Sequence, residues 1–175
     1  MSWSPNGRFV LYRRGAGPAR SDLWVLPLFG DRKPFPFIQT SFCECVAEFS
    51  PDGRWIAFVS DESGRNEVYV VPFPGPGGKW QVSTAGGNWP RWRRDGRELY
   101  YGGPPNQLMV AAVESTGSAF RVNTVRPLFT MRAQLNQGSM YDVAPDGQRF
   151  LINTVVEQAV QPITLVVNWP ALLKN

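Results

Sequence analysis

The chain has 175 residues, 43% of them hydrophobic, and a formal net charge of +4. This length and apolar content are sufficient for a globular core. Histidine is absent, which excludes Ser-His-Asp and Cys-His catalysis, an imidazole general base and nearly every catalytic zinc site.

The composition also predicts the fold class. Gly 17, Pro 16 and an aromatic content of 13% favour strands joined by tight turns, so we expect an all-β protein. There is no run of like charges typical of a nucleic-acid-binding tail, and no apolar run of 18 residues that would span a membrane. The first residues do not form a signal peptide. The chain begins in the middle of a repeat, so we expect it to belong to a longer protein, whose location could be extracytoplasmic.

One unit occurs four times. In each copy a large apolar residue precedes a turn of the Pro-Asn-Gly, Pro-Asp-Gly or Arg-Asp-Gly type, and an apolar strand follows. The turn glycines are Gly7, Gly53, Gly96 and Gly147, at intervals of 46, 43 and 51 residues. A period near 45 residues in a strand-rich chain predicts β-propeller blades of about four strands. We therefore predict one partial propeller domain over 1–175, with blades at about 1–40, 41–84, 85–131 and 132–175.

The strands can be predicted in chain order from alternating apolar runs between turn residues. In the first two units they are Ser2–Ser4, Phe9–Arg13, Asp22–Leu28, Phe35–Ile38, Cys45–Ser50, Trp55–Ser60, Glu67–Phe73 and Trp80–Ser83. In the last two they are Trp89–Arg93, Glu98–Gly102, Gln107–Glu114, a segment near Arg126–Phe129, Met140–Ala144, Arg149–Asn153 and Ile163–Asn168. The first blade thus retains little of its inner strand, and no outer strand is predicted for the last, because 170–175 is short and begins with proline.

Two cysteines and one basic group need separate interpretation. Cys43 and Cys45 would point to one face of a strand, where a disulfide would be strained, so we interpret them as buried small side chains. The arginines at 91, 93, 94 and 97 form the densest basic group. We interpret them as the surface of one exposed hairpin, and a patch for phosphate or an acidic partner is the alternative.

The segment Phe49–Ser60, followed by Glu67–Val70, resembles the WD40-like repeat of TolB-type β-propellers. The tail Gln161–Trp169 and the segment Phe120–Phe129 are similar to the propeller region that follows the kinase domain in many bacterial serine/threonine protein kinases and related sensor proteins. No kinase motif occurs, since there is no Gly-rich phosphate loop and no His-Arg-Asp segment. The resemblance implies a non-catalytic module for protein interaction or ligand sensing, without a cofactor or a metal.

The resemblance also implies that the ring needs completion. Propellers of this kind have more than four blades, and a strand from the far N-terminus completes their last blade. Four blades closing on themselves is one solution; two copies pairing head to tail into an eight-bladed ring is the other. We expect a homodimer formed through exposed blade edges, a possible further protein partner, and contact with neither nucleic acid nor membrane.

The candidate site follows from the repeat. Ligands of propellers bind at the mouth of the central channel, where the inner strands converge. The residues that precede the large apolar position of each inner strand are Ser2, Glu48, Arg91 and Asp142. We expect Trp89, Tyr141, Glu44 and Asn88 near the channel entrance.

Three functions remain open from the sequence. The first is a module for protein interaction or sensing, with the channel side chains pairing among themselves. The second is a propeller that binds a small ligand or glycan on exposed aromatic residues. The third is a hydrolase or lyase that uses Glu48 and Asp142 as its acid and base, which would depend on the separation of the two carboxyl groups.

Overall fold

The computed structural model describes residues 1–15, 21–132 and 140–154. The predicted all-β class is confirmed, since these ranges contain fourteen strands and no helix. None of the described residues belongs to a helix that could cross a membrane.

The strands form three four-stranded antiparallel sheets and one two-stranded sheet, each in sequential order. Sheet 1 consists of β1 (Ser2–Trp3), β2 (Phe9–Arg14), β3 (Asp22–Pro27) and β4 (Phe35–Ile38). Sheet 2 consists of β5 (Glu44–Phe49), β6 (Trp55–Ser60), β7 (Glu67–Pro72) and β8 (Trp80–Gln81). Sheet 3 consists of β9 (Asn88–Trp92), β10 (Glu98–Gly103), β11 (Gln107–Thr116) and β12 (Ala119–Thr130). Sheet 4 consists of β13 (Tyr141–Val143) and β14 (Phe150–Ile152).

The same turn joins the first two strands of every sheet. In the second copy the Gly53 N–H donates to the Ser50 carbonyl at 2.9 Å, and the Asp52 carboxylate accepts from the Arg54 N–H at 3.0 Å. The other three copies repeat both hydrogen bonds within 0.1 Å. The four turn glycines have φ between 67° and 72°, a conformation that costs glycine nothing. The turn predicted from the sequence is therefore confirmed.

Most predicted strands agree with the structure to within two residues, but the outer strand of sheet 3 does not. The short segment expected near Arg126–Phe129 is a 12-residue strand, β12, which pairs along the whole of β11. Phe120, near its start, packs against Trp55 and Trp92 at centroid distances of 5.1 and 6.2 Å. Tertiary packing of this aromatic residue extends the hairpin toward sheet 2.

The rest of the last unit cannot be compared in the same way. The predicted strand Ile163–Asn168 and the tail Gln161–Trp169 lie outside the described residues.

The sheets stack face to face, and a hydrophobic cluster fills each junction. Between sheets 1 and 2 lie Leu11, Leu23, Val25, Phe49, Ile56, Phe58 and Tyr69. Between sheets 2 and 3 lie Trp55, Ala57, Val59, Val68, Val70, Val82, Trp92, Leu99, Tyr101, Ala111, Val113 and Phe120. Between sheets 3 and 4 lie Tyr100, Leu108, Val110, Met131, Met140 and Tyr141. The inner strands adjoin in turn, β1 with β5, β5 with β9 and β9 with β13, as in part of a propeller.

Candidate functional site

The inner strands bring two of the predicted polar residues into contact. Arg91 on β9 donates to the Glu48 carboxylate on β5 at 3.3 Å and to the Pro90 carbonyl at 3.0 Å. Both side chains are half-buried. Ser2 on β1 contacts the same strand as Glu48, since its hydroxyl accepts a hydrogen bond from the N–H of Phe49 on β5 at 3.2 Å. We call Ser2, Glu48, Arg91 and Asp142 the channel group.

Glu48 is the most perturbed carboxyl of the channel group. Its pKa is raised to about 7, mainly by burial and to a smaller extent by the charge of Asp142. The Arg91 guanidinium and the Trp92 backbone N–H act in the opposite direction by stabilising the carboxylate. This pKa lies near neutrality, so the charge of the channel group changes in the physiological pH range.

Tyr141 links the third and fourth inner strands. Its hydroxyl donates to the Trp89 carbonyl at 2.8 Å, and its side chain is buried. Burial raises the pKa of this phenol well above its ordinary value. Tyr141 therefore remains neutral and acts as a hydrogen-bond donor between sheets 3 and 4.

Glu44 lies apart from the channel group, at the start of β5. Only 1% of the residue is exposed, and Thr40 donates to its Oε1 atom at 2.5 Å. Burial raises the pKa of the carboxyl. Its Oε2 atom has no hydrogen-bond partner among the described residues. Glu44 is thus a buried residue at the start of β5 that contacts the loop between sheets 1 and 2 through Thr40.

Asn88 and Trp89 lie in a cleft between sheets 2 and 3, which we call the sheet 2–3 cleft. Its volume is about 420 Å³. The side chains of Asn66, Asn88, Trp89, Asn106, Met131 and Met140 contribute to its lining. The Asn66 amide donates to the Asn88 carbonyl oxygen at 3.0 Å, which orients both side chains at the rim.

A bulge in β9, which is not predicted from the sequence, positions Trp89. Trp89 has φ 51°, and the pairing of β9 with β10 shifts between Tyr100 and Gly102. Val46 has φ 44° at the equivalent position of β5, where the pairing with β6 also shifts. Positive φ is rare for such residues, and the bulge recurs in two sheets. The bulge is therefore a property of the repeat. In the sequence it corresponds to one extra residue in β5 and in β9 relative to the strand with which each pairs.

The basic group predicted from the sequence divides between two surfaces. Arg91 joins the channel group, whereas Arg93, Arg94 and Arg97 border an open groove of about 870 Å³ beside the turns. Arg93 contacts Glu98 at 3.3 Å and Asp95 at 3.6 Å. The acidic residues of the groove are Asp52, Asp95, Glu98 and Glu114, equal in number to its arginines at 54, 93, 94 and 97. This balance of charge favours the interpretation as an exposed, self-paired hairpin.

The cysteines are free thiols. Cys43 is buried, with its sulfur 3.2 Å from the Ser21 hydroxyl, and Cys45 is half-buried. Burial raises the pKa of the Cys45 thiol to about 12, so it is not a thiolate near neutral pH. Within the described residues no group of three or more acidic or cysteine side chains is arranged to hold a metal ion.

Comparison with known proteins gives one curated relative and several similar structures. No protein-family profile matches the chain. The relative is the uncharacterized protein Atu1656 of Agrobacterium fabrum, which is 30% identical over 112 residues, covering 61% of this chain and 36% of the relative.

The similar structures come from bacteria. TolB from Acinetobacter baumannii matches with a TM-score of 0.62 at 19% identity, over 89% of this chain and 37% of that chain. A protein assigned as a TolB from Agrobacterium tumefaciens matches with a TM-score of 0.55 at 20% identity, over 73% and 47%. A protein assigned as a 6-phosphogluconolactonase from Bacteroides uniformis matches with a TM-score of 0.55 at 16% identity, over 87% and 46%.

The chain thus spans less than half the length of each of these proteins. At such identities the structural likeness concerns the fold. The predicted kinase context has no counterpart in these matches and stays a prediction. The repeat, the sheet order and the structural matches together show that this chain has the fold of a TolB-type β-propeller.

Proposed function

We propose that the chain is a non-catalytic propeller module for protein interaction, and that its first partner is a second copy of itself. The observation that supports this is an apolar sheet face without a partner in the described part of the chain. It belongs to sheet 1, on the side opposite sheet 2, and consists of Trp3, Val10, Tyr12, Trp24 and Leu26. We call it the sheet 1 outer face.

The register of the strands defines this face. Leu11, Leu23 and Val25 pack toward sheet 2, so the residues that alternate with them point the other way. The pairs on the outer face are Trp3 with Val10, Val10 with Leu26, and Tyr12 with Trp24. Sheets 2 and 3 bury both of their faces against neighbouring sheets, whereas 58% of Trp3 remains exposed. Of the other four residues, Val10 is 6% exposed and Tyr12, Trp24 and Leu26 are half-buried, so Trp3 is the exposed part of this face. Exposed apolar residues on a sheet face mark interaction surfaces.

A second copy supplies a complementary surface at its fourth sheet. Tyr141, Phe150 and Ile152 pack toward sheet 3, so their neighbours Asp142 and Leu151, which pair with each other, face away. Leu151 is 77% exposed. On the sheet 1 outer face, Arg14 stacks over Trp24 at 4.6 Å, so this face carries a cation, whereas the outward face of sheet 4 carries the acidic Asp142. Packing of sheet 4 of one copy against sheet 1 of the other is a head-to-tail contact. When each copy makes this contact with the other, the two copies form a closed ring.

The mass of the protein in solution tests this proposal. Light scattering after size-exclusion chromatography should give a dimer, and Trp3→Glu should give a monomer, because a charge would be buried in the contact. Phe29→Glu is a matched control, since Phe29 is 59% exposed and lies outside the sheet 1 outer face. A wild-type monomer at about 100 µM, which would mean an association free energy weaker than about −5.5 kcal/mol, would contradict the proposal.

The sheet 2–3 cleft supports a second candidate, the binding of a small neutral ligand such as a carbohydrate. Its volume is typical of small-molecule sites. Trp89 offers an aromatic surface, and the amides of Asn66, Asn88 and Asn106 offer donors and acceptors for hydroxyl groups. No carboxylate is among the described lining residues, and Arg65 pairs with Glu67 at 3.1 Å, so the cleft does not favour a charged ligand.

Saturation-transfer NMR with cellobiose and maltose tests the second candidate. Wild-type protein should transfer magnetisation to at least one of these sugars, and Trp89→Ala should abolish the transfer. Phe29→Ala removes an exposed aromatic ring outside both the cleft and the sheet 1 outer face, and should leave the transfer unchanged. Equal signals from both variants would contradict a site at Trp89.

The hydrolase or lyase alternative has less support. Glu48 and Asp142 lie on the inner strands of sheets 2 and 4, with β9 of sheet 3 between them, and Glu48 pairs with Arg91 at 3.3 Å. The lactonase name belongs to a protein with 16% identity and a similar fold. We therefore propose a binding function without catalysis.

A further inference from the structure

A hydrogen bond from one blade to the next recurs along the inner strands. The Ser2 hydroxyl of sheet 1 accepts from the Phe49 N–H of sheet 2. One blade further, the Glu48 carboxylate of sheet 2 interacts with the Trp92 N–H of sheet 3. Ser2 and Glu48 are equivalent in the repeat, and so are Phe49 and Trp92. The residue before the large apolar position thus accepts from the backbone of the next blade.

The strand pairing explains why these N–H groups are free to make this contact. The N–H of the residue after Phe49, Ser50, donates to Trp55 across the β5–β6 ladder. In antiparallel strands the N–H groups alternate in direction, so the Phe49 N–H points away from β6 and toward the channel. The same applies to Trp92, because the Arg93 N–H donates to the Glu98 carbonyl at 2.9 Å.

Trp3 has this geometry as well, but no acceptor for its N–H among the described residues. The Ser4 N–H donates to the Phe9 carbonyl at 2.9 Å, so the Trp3 N–H points toward the channel. Among the sheets that the structure describes, none packs against the side of sheet 1 opposite sheet 2. A channel-facing donor of this kind needs an acceptor when the adjoining face is covered.

Asp142 is the acceptor at the other end of the stack. It occupies in sheet 4 the position that Glu48 occupies in sheet 2. Its Oδ1 atom accepts a hydrogen bond from the Val143 N–H at 2.8 Å. The equivalent residue of sheet 3, Arg91, cannot accept a hydrogen bond from this N–H, because a guanidinium is only a donor. A carboxylate has two acceptor oxygens, so Asp142 can accept a further hydrogen bond through Oδ2.

We propose that Asp142 of one copy accepts a hydrogen bond from the backbone N–H of Trp3 in a second copy, and that this contact sets the register of the ring. The inference rests on the proposed self-association. It extends the series from Ser2 and Glu48 across the contact between copies. A slip of one residue would turn Asp142 away from the channel and lose the bond, so the contact selects one arrangement of the two copies.

A pair of variants at position 3 isolates the backbone N–H. Trp3→Ala and Trp3→Pro both remove the indole, but only proline removes the N–H. Because this N–H lies outside the β1–β2 ladder at the edge of a sheet, proline is compatible with the strand. We expect the dimer dissociation constant of Trp3→Pro, measured by analytical ultracentrifugation, to exceed that of Trp3→Ala about tenfold, as is typical of a hydrogen bond to a charged acceptor.

The reciprocal variants concern Asp142. Asp142→Ala should weaken the dimer about tenfold, whereas Asp142→Asn, which retains an acceptor oxygen, should weaken it less. Asp31→Ala removes an equal charge at an exposed site that pairs with Lys33 and should have no effect. When Asp142→Ala is also present, Trp3→Ala and Trp3→Pro should give equal dimer dissociation constants, because the acceptor of the hydrogen bond is then absent.

The outcomes separate the two proposals. If Trp3→Pro and Trp3→Ala dissociate equally in the native background while the wild type is a dimer, the Asp142 contact is wrong and the self-association stands. If the wild type is a monomer, both proposals are wrong. Circular dichroism of each variant verifies that the sheets are retained.

Discussion

At the scale of single residues, Glu48 shows how neighbours define a site. Its type and position were predicted from the repeat, and so was the possibility of mutual ion pairing in the channel. Its pKa of about 7 was not predicted, because this value depends on how the sheets pack. Burial and the charge of Asp142 raise the pKa, and Arg91 lowers it. The same is true of Tyr141, whose hydrogen bond to Trp89 joins residues 52 positions apart.

We expect the pKa of Glu48 to appear as a pH dependence of stability. The folded-state pKa lies above the ordinary value of 4.5, so the stability due to the protonated form is present below that value and is lost as pH rises through about 7. Relative to that of Glu48→Gln, the free energy of unfolding of the wild type should fall by roughly 1–3 kcal/mol between pH 5 and 8. Urea denaturation across this range measures the difference, and Asp31→Asn is the exposed control. A difference that is constant with pH would contradict the assignment.

At the scale of elements, the four equivalent turns differ in their surroundings. Each places a glycine at positive φ, as the sequence predicts. A Cβ atom at Gly7 would meet nothing within 4 Å, whereas one at Gly147 would lie 2.7 Å from the Tyr100 hydroxyl and 3.0 Å from the Arg93 Nε atom. The local sequence therefore determines the turn, and the neighbouring sheet determines how tightly it is packed.

This difference predicts unequal costs for one substitution. Gly7→Ala should reduce the free energy of unfolding by about 1 kcal/mol, the cost of a side chain in the left-handed region. Gly147→Ala should cost at least about 1 kcal/mol more, because Tyr100 and Arg93 must move. Chemical denaturation of the two variants under one condition measures both costs. Equal losses would show that packing around Gly147 adjusts freely.

At the scale of the whole molecule, stacking leaves two ends with different surfaces. The described sheets bury an aromatic core at each of three junctions. The sheet 1 outer face and the exposed Leu151 of sheet 4 remain, and Trp3 is part of the first of them. The proposed ring would bury both surfaces at once, which is why we consider the two ends together.

A dimer of this kind predicts a melting temperature that depends on concentration. Partner binding stabilises the folded state by mass action, so a tenfold increase in protein concentration should raise the wild-type melting temperature by a few degrees. Trp3→Glu, as a monomer, should melt at one temperature at all concentrations. Differential scanning fluorimetry over a hundredfold dilution series tests both expectations. Concentration-independent melting of the wild type would argue against self-association.

The sequence by itself determined the repeat, the all-β class, the turn geometry and most strand limits. These depend on contacts between residues close in the chain, such as the Asp52 carboxylate with the Arg54 N–H. Only the tertiary structure decided the bulge at Trp89, the long β12, the pairing of Glu48 with Arg91 and the face left without a partner. Each of these depends on how separate sheets pack, and the energy of that packing is not encoded in any single segment.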